Sequence, residues 1–295
     1  MPKPQTNSVT VTGTRGADVF NLAAGVLEVN GSPKSIAAGT QTANLSGGAG
    51  DDIFRTDTPH ASNGTAFFYD GGRGNDTLDF SASSQAVAVR LYGSTQTVST
   101  NFSMVSVHDD PATAGYYDPN DPKEWLVLSG ATTTGNVANF ESVIGSAFDD
   151  YLGLSYAAAG YADGGLGNDW IEGGIGNDML FGGAGNDYIE GRAGNDTMTG
   201  GTGADQFQVL TMNGDEVITD FNIAEGDWLF IAQQEPSHAV PTASSWYQTT
   251  YTDANGVLHV AIRANFEGGS VTLVDLTLAD VSSVMAQSTT YDWFG

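Results

Sequence analysis

The chain has 295 residues, enough to bury a sizeable core in one elongated domain or two. Nine Lys and Arg stand against 35 Asp and Glu, a net charge of −26 that disfavours nucleic acid and anionic membranes as partners. The 40% apolar and 10% aromatic content marks a chain that folds once this charge is neutralised, and the absence of cysteine excludes disulfides and thiolate metal sites.

In chain order, the N-terminus MPKPQTNSVTVTG lacks the apolar run of a cleaved signal peptide, and no stretch is long enough to cross a bilayer. Residues 13–21, GTRGADVFN, form a glycine-spaced unit with Asp18 at its sixth position and Phe20 at its eighth. GGAGDDIFR (47–55) and GGRGNDTLD (71–79) repeat the unit with Asp52 and Asp76, and GSAFDDYLG (145–153) repeats it more weakly with Asp150 and Leu152. Between these units Val87, Val89 and Leu91, then Phe102 and Met104, then Leu126 and Leu128, alternate with polar residues and predict strands. Residues 108–125, HDDPATAGYYDPNDPKEW, break the alternation with three prolines and predict a loop thrown out from the strands. Tyr116, Tyr117 and Trp125 there are suited to stack on sugar rings, and Asp118 and Asp121 to accept sugar hydroxyls or hold calcium; the alternative folds these aromatics back onto the body.

From Gly164 to Gln208 five nonapeptides follow without a gap: GGLGNDWIE, GGIGNDMLF, GGAGNDYIE, GRAGNDTMT and GGTGADQFQ. Sixth positions hold Asp169, Asp178, Asp187, Asp196 and Asp205; eighth positions hold Ile171, Leu180, Ile189, Met198 and Phe207. Nine residues make one turn and one short strand, so two units close a coil and equivalent positions stack every eighteen residues. Asp169, Asp187 and Asp205 then share one edge, and Asp178 and Asp196 the other. Like charges at the strand spacing of roughly 4.8 Å repel unless a cation lies between them. Carboxylates beside backbone carbonyls are hard oxygen donors, which suit calcium rather than zinc or copper. Folding is therefore expected to depend on metal. The spacing between Asp150 and Asp169 is 19, and the turn at Ala158 to Gly160 lacks its aspartate.

These repeats resemble the RTX family of hemolysin-type calcium-binding proteins. The resemblance implies an all-β, parallel β-roll or β-solenoid in which each calcium is held by sixth-position aspartates of stacked turns and by carbonyls of the glycine-rich loops. Gly165, Gly167, Gly174, Gly176, Gly183, Gly185 and Gly194 match the carbonyl-bearing glycines, and Asp18, Asp52, Asp76 and Asp150 extend the ligand set upstream. Arg192 replaces the second glycine of the fourth unit, where weakened binding is expected. The resemblance further implies export from a Gram-negative bacterium by a type I secretion apparatus. Weak calcium sites fill outside the cell rather than in the cytosol. The terminal VSSVMAQSTTYDWFG (281–295) resembles an uncleaved secretion signal of this class; its alternative is a last strand packing Trp293 and Phe294 on the core.

After Gln208 the glycine rhythm stops. Asp220, Glu225 and Asp227 offer a further calcium site, although solvated turn carboxylates are the preferred reading. Strand-like runs at 247–251, 257–262 and 270–278, with short helical turns near 276–286, predict a β-rich cap that covers the solenoid edge. The organisation expected is a degenerate roll at 1–153 carrying the inserted loop 108–125, a regular roll at 154–210, and a capping region with secretion signal at 211–295.

No H-E-x-x-H or G-x-S-x-G motif occurs. His60, His238 and His259 stand alone, and the pairing of His108 with Asp109 is of a kind that chance supplies in so acidic a chain. The expected function is that of a secreted, non-enzymatic calcium-binding protein in adhesion, matrix or host interaction, with extracellular polysaccharide or a cell surface as partner. An alternative is a polysaccharide-modifying enzyme, lyase-like or epimerase-like, which requires His108, Tyr116 and Asp118 to converge. A third, a toxin or pore former, is disfavoured by the lack of an apolar segment or amphipathic helix.

Overall fold

The computed structural model describes residues 8–23, 26–36, 40, 42–57, 66–91, 97–100, 103–107, 125–129, 132–154, 159–210, 214–232, 245–266, 268–286 and 288–291. Two long sheets face each other across one apolar core, and successive half-coils alternate between them. One sheet has twelve strands, in the order Ser8–Thr12, Thr42–Ala49, Ala66–Arg73, Thr132–Ala138, Thr97–Thr100, Val87–Arg90, Tyr151–Gly153, Trp170–Glu172, Tyr188–Glu190, Gln206–Leu210, Trp228–Ala232 and Ser288–Tyr291. The other has thirteen, running from the antiparallel cap Trp246–Thr252, Leu258–Phe266 and Gly269–Val274 through Asp215–Ile218, Thr197–Thr202, Met179–Ala184, Tyr161–Leu166, Ser142–Ile144, Thr77–Asp79, Ile53–Thr56 and Val19–Ala23 to Val26–Val29 and Ser32–Lys34. A separate hairpin joins Ser103–Val107 to Trp125–Ser129.

Pairing within the regular block is parallel with an eighteen-residue register: Ile171 opposes Ile189, which opposes Phe207, and Leu180 opposes Met198. Because side chains alternate along a strand, this register stacks every eighth-position residue into the core and every sixth-position residue at the turn before it. The inward column of the thirteen-stranded sheet runs Phe20, Phe54, Leu78, Val143, Ala162, Leu180, Met198 and Ile218; that of the twelve-stranded sheet runs Val89, Leu152, Ile171, Ile189, Phe207 and Leu229. All of them are buried in one apolar cluster that extends to Val284 of the short helix Val281–Ala286. The structure is thus a parallel β-roll with a β-rich cap. Residues 108–124 and 292–295, and with them all but Trp125 of the predicted loop 108–125, including His108, Tyr116 and Asp118, as well as Trp293 and Phe294, lie outside the described residues, as do His60 and His238.

Candidate metal centre

The sixth-position residues form two hydrogen-bonded ladders, one along each edge. On the first, the amides of Asp150, Asp169, Asp187 and Asp205 donate in turn to Oδ1 of Asp169 (2.8 Å), Asp187 (2.8 Å), Asp205 (2.9 Å) and Asp227 (3.0 Å), and Val87 donates to Asp150 (2.7 Å). On the second, Asp18 donates to Asp52 (2.7 Å), Asp52 to Asp76 (2.8 Å) and Asp76 to Glu141 (2.9 Å). That ladder resumes with Gly160 donating to Asp178 (2.6 Å), Asp178 to Asp196 (2.8 Å) and Asp196 to Glu216 (3.2 Å). Gly160 holds the ladder position where the aspartate is missing, two residues before the core residue Ala162.

One oxygen of each carboxylate from Asp52 onward is thus committed to an amide of the preceding coil, whereas Asp18 Oδ1 accepts the Asn30 side-chain amide. The other separates the set into two groups. Oδ2 of Asp52, Asp76, Asp169, Asp187, Asp196 and Asp205 is buried with no hydrogen-bond partner. In Asp18, Asp150, Asp178 and Asp227 the second oxygen accepts a local amide, from Thr14, Ser146, Gly174 (2.6 Å) and Asn222 (2.7 Å) respectively. Buried polar atoms are nearly always partnered, and a buried charge needs a counter-charge, so the first group marks where a cation fits.

The first-position glycines form the floor beneath these oxygens. A Cβ on Gly164 would stand 2.2 Å from Asp169 Oδ2 and 2.6 Å from the Gly182 carbonyl, and one on Gly47 would stand 2.1 Å from Asp52 Oδ2. Carboxylate oxygen and next-coil carbonyl thus converge on a space that any side chain would fill. At Gly165, Gly167, Gly183, Gly185 and Gly194 φ lies between 100° and 144°, a region that side chains rarely adopt. The Gly174 amide caps Asp178, and the Gly176 carbonyl lies where a Cβ on Gly194 would intrude at 1.8 Å.

Electrostatics follow from the stacking. Burial first, then the charges of Asp150 and Asp187, push the Asp169 carboxyl up to about 9. Burial likewise lifts Asp187 to about 6 and Asp205 to about 7, and it raises Asp52 and Asp178. Asp18 differs: burial pushes it up, but hydrogen bonds from Thr14 and Asn30 outweigh that and leave it below the ordinary value.

Three features depart from the sequence expectation. Asp227 is buried at 2% exposure and extends the first ladder, so it is not a solvated turn carboxylate; Asp220 accepts the Gly200 (2.9 Å) and Gly201 (2.8 Å) amides, leaving Glu225 exposed. Glu141 and Glu216 occupy ladder positions that the aspartate pattern passes over. Fifth positions also carry structure: Asn168 accepts the Asn186 amide (2.8 Å), Asn186 the Ala204 amide (2.8 Å) and Asn177 the Asn195 amide (3.0 Å), a ladder directed opposite to that of the aspartates. Arg192 adopts φ 66° and folds onto the outer face of the twelve-stranded sheet, 2.6 Å from Glu172 and 3.9 Å from Glu190. Glu172 there also accepts the Tyr151 hydroxyl and the Trp170 indole.

Among the described residues no three His, Asp or Glu side chains converge as a metal-binding group. The model of the RTX calcium-binding nonapeptide repeat matches in four copies over residues 68–81, 161–189 and 172–207. The chain carries RTX calcium-binding repeats. RTX nonapeptides bind calcium ions, and the open oxygens of Asp76, Asp169, Asp187, Asp196 and Asp205 all fall within the matched segments. No curated protein matches the sequence. Among solved structures the chain is similar to the extracellular lipase LipA from Serratia marcescens, at 18% identity and TM-score 0.36, over 97% of this chain and 40% of that one. It is also similar to the AlgE6R3 subunit of the Azotobacter vinelandii mannuronan C5-epimerase, at 22% identity and TM-score 0.33, over 45% of this chain and 79% of that one. The chain therefore spans 40% of the length of the lipase.

Proposed function

We propose that this RTX chain is a secreted, non-enzymatic protein whose calcium-loaded roll is its functional body, serving in adhesion, matrix building or host interaction. The observation that carries the reading is the row of buried carboxylate oxygens without hydrogen-bond partners, stacked coil upon coil in both ladders. Such a row disfavours the folded state at low calcium and favours it at the millimolar calcium of extracellular fluids. A chain that stays open inside the cell and closes outside suits a type I apparatus, with residues 281–295 as its signal. Within the described residues no helix is long and apolar enough to cross a membrane.

Two experiments test the reading. Deleting residues 281–295 abolishes appearance of the protein in the medium of a cell that carries a type I apparatus; undiminished export removes that part of the proposal. Protein refolded in millimolar calcium binds a glycan array or a cell surface without turning over polysaccharide, lipid or peptide. Degradation of an acidic polysaccharide overturns the non-enzymatic assignment.

A further inference from the structure

We infer that a cation site lies at the end of the matched repeats, between the carboxylate of Asp196 inside them and that of Glu216, one coil after Asp196 and beyond the last matched residue. This rests on the calcium-binding reading of the repeats and extends it to a segment without the glycine signature.

Parallel pairing sets the equivalence: Val217 opposes Thr197 and Ile218 opposes Met198, so Glu216 stands at the sixth position of a coil whose core residue is Ile218. The rest of the turn agrees. Gly214, at φ 134°, comes so close to the Gly194 carbonyl that a Cβ there would stand 1.6 Å from it, as expected of a fourth-position glycine. The Asp215 amide donates to Asn195 Oδ1 (2.9 Å), continuing the fifth-position ladder, and Glu216 Oε2 accepts the Asp196 amide at 3.2 Å.

Two oxygens are then left over. Asp196 Oδ2 and Glu216 Oε1 are buried without a hydrogen-bond partner, and their residues are 0% and 2% exposed. Both carboxylates face the same glycine: a Cβ on Gly191 would stand 2.5 Å from Asp196 Oδ2 and 3.0 Å from Glu216 Oε2. The arginines beside them are engaged elsewhere, Arg192 with Glu172 and Arg263 with Asp215 (3.1 Å). Two buried carboxyl groups over an open glycine floor, with all-oxygen donors, offer a place that a hard divalent cation fits, and calcium suits the donor type.

The test counts calcium ions per full-length chain by equilibrium dialysis, and follows the melting temperature over a range of calcium concentrations that keep the chain folded, for wild type and Glu216→Gln. The near-isosteric amide is expected to remove one ion, or weaken one class of sites by about tenfold or more. It should lower the melting temperature in saturating calcium and reduce the rise in melting temperature with each increment of calcium, because fewer ions are taken up on folding. A purely structural glutamate would lower the melting temperature by the same amount at every calcium concentration, and that result, or an unchanged ion count and affinity, overturns the site. Glu216→Asp, which keeps the charge but loses reach, is expected to retain the ion at reduced affinity. A wild-type chain that binds no calcium overturns both this site and the reading of the repeats; a wild-type chain that binds calcium with Glu216→Gln indistinguishable from it overturns this site alone.

Discussion

At the scale of single residues, what distinguishes the ladder aspartates from one another is the second carboxylate oxygen. Asp187 Oδ2 has no protein partner, whereas both oxygens of Asp178 accept amides, so the two differ although both stand at sixth positions. Asp187→Asn is expected to weaken calcium binding by more than about tenfold, since loss of even an outer partner of a metal ligand costs roughly 10–100-fold. Asp178→Asn should cost less, and calorimetric titration of the two variants measures the difference. Asp205 is not the end of its ladder, because Asp227 follows it, so Asp205→Asn should resemble Asp187→Asn rather than a terminal deletion. Glycines are open to a similar contrast. Gly185→Ala forces a side chain into φ 138° and places its Cβ 1.6 Å from the Gly167 carbonyl; Gly256→Ala meets only an unfavourable φ of 81° in open space. The second should cost about 1–3 kcal/mol and the first clearly more, read from melting temperatures in saturating calcium.

Acid has the opposite sign from the usual carboxylate case. Asp169, Asp187 and Asp205 have folded-state values raised to about 9, 6 and 7, so between their unfolded value near 3.8 and those values the folded chain binds more protons than the unfolded one. Their protonation stabilises the calcium-free roll at low pH, and this contribution is lost as pH rises through about 6 to 9. Calcium-stripped protein should show more sheet by circular dichroism at pH 5 than at pH 8, while calcium affinity falls on acidification because protons and calcium compete for the same oxygens. A calcium-free chain more stable at pH 8 would contradict the carboxylate burial.

At the scale of the element, the turn and short strand behave as one unit, and the departure at Arg192 shows which force governs it. Restoring the glycine of the pattern with Arg192→Gly relieves a left-handed residue, worth about 1–2 kcal/mol. It also strips the cation from Glu172, which is 6% exposed at its side chain, and breaking a buried pair costs roughly 3–5 kcal/mol. The variant closer to the motif is therefore expected to melt lower than the parent; a higher melting temperature would assign Arg192 no structural role. Units of this kind are legible in sequence when turn and strand signals coincide. Asp169, Asp187 and Asp205 could be stacked from an eighteen-residue interval, and the parallel register repeats that interval. Glu216, Glu141 and Asp227 could not, because their coils lack paired glycines and the spacings from Asp196, Asp76 and Asp205 are 20, 65 and 22 residues. The strand pairing that aligns them is a tertiary fact with no local mark. The fifth-position asparagines were visible as letters, but their role depends on a neighbour a full coil away.

At the scale of the whole molecule, charge and fold are one problem. A chain of net charge −26 places a column of carboxylates along each edge of a single apolar core, so the core cannot close without neutralising the edges. The break at Gly160 divides the second ladder, while the first continues unbroken from Asp150 to Asp227. Because these oxygens are buried, monovalent salt that screens exposed charges should not substitute for calcium. Magnesium, which gives up its water reluctantly, should be a poor replacement. The most direct measurement is a far-ultraviolet circular dichroism titration of calcium-stripped protein at neutral pH. It is expected to show a coil that converts cooperatively to sheet as calcium rises and reverts on chelation; a full sheet signal in excess chelator would contradict the claim that calcium is part of the fold.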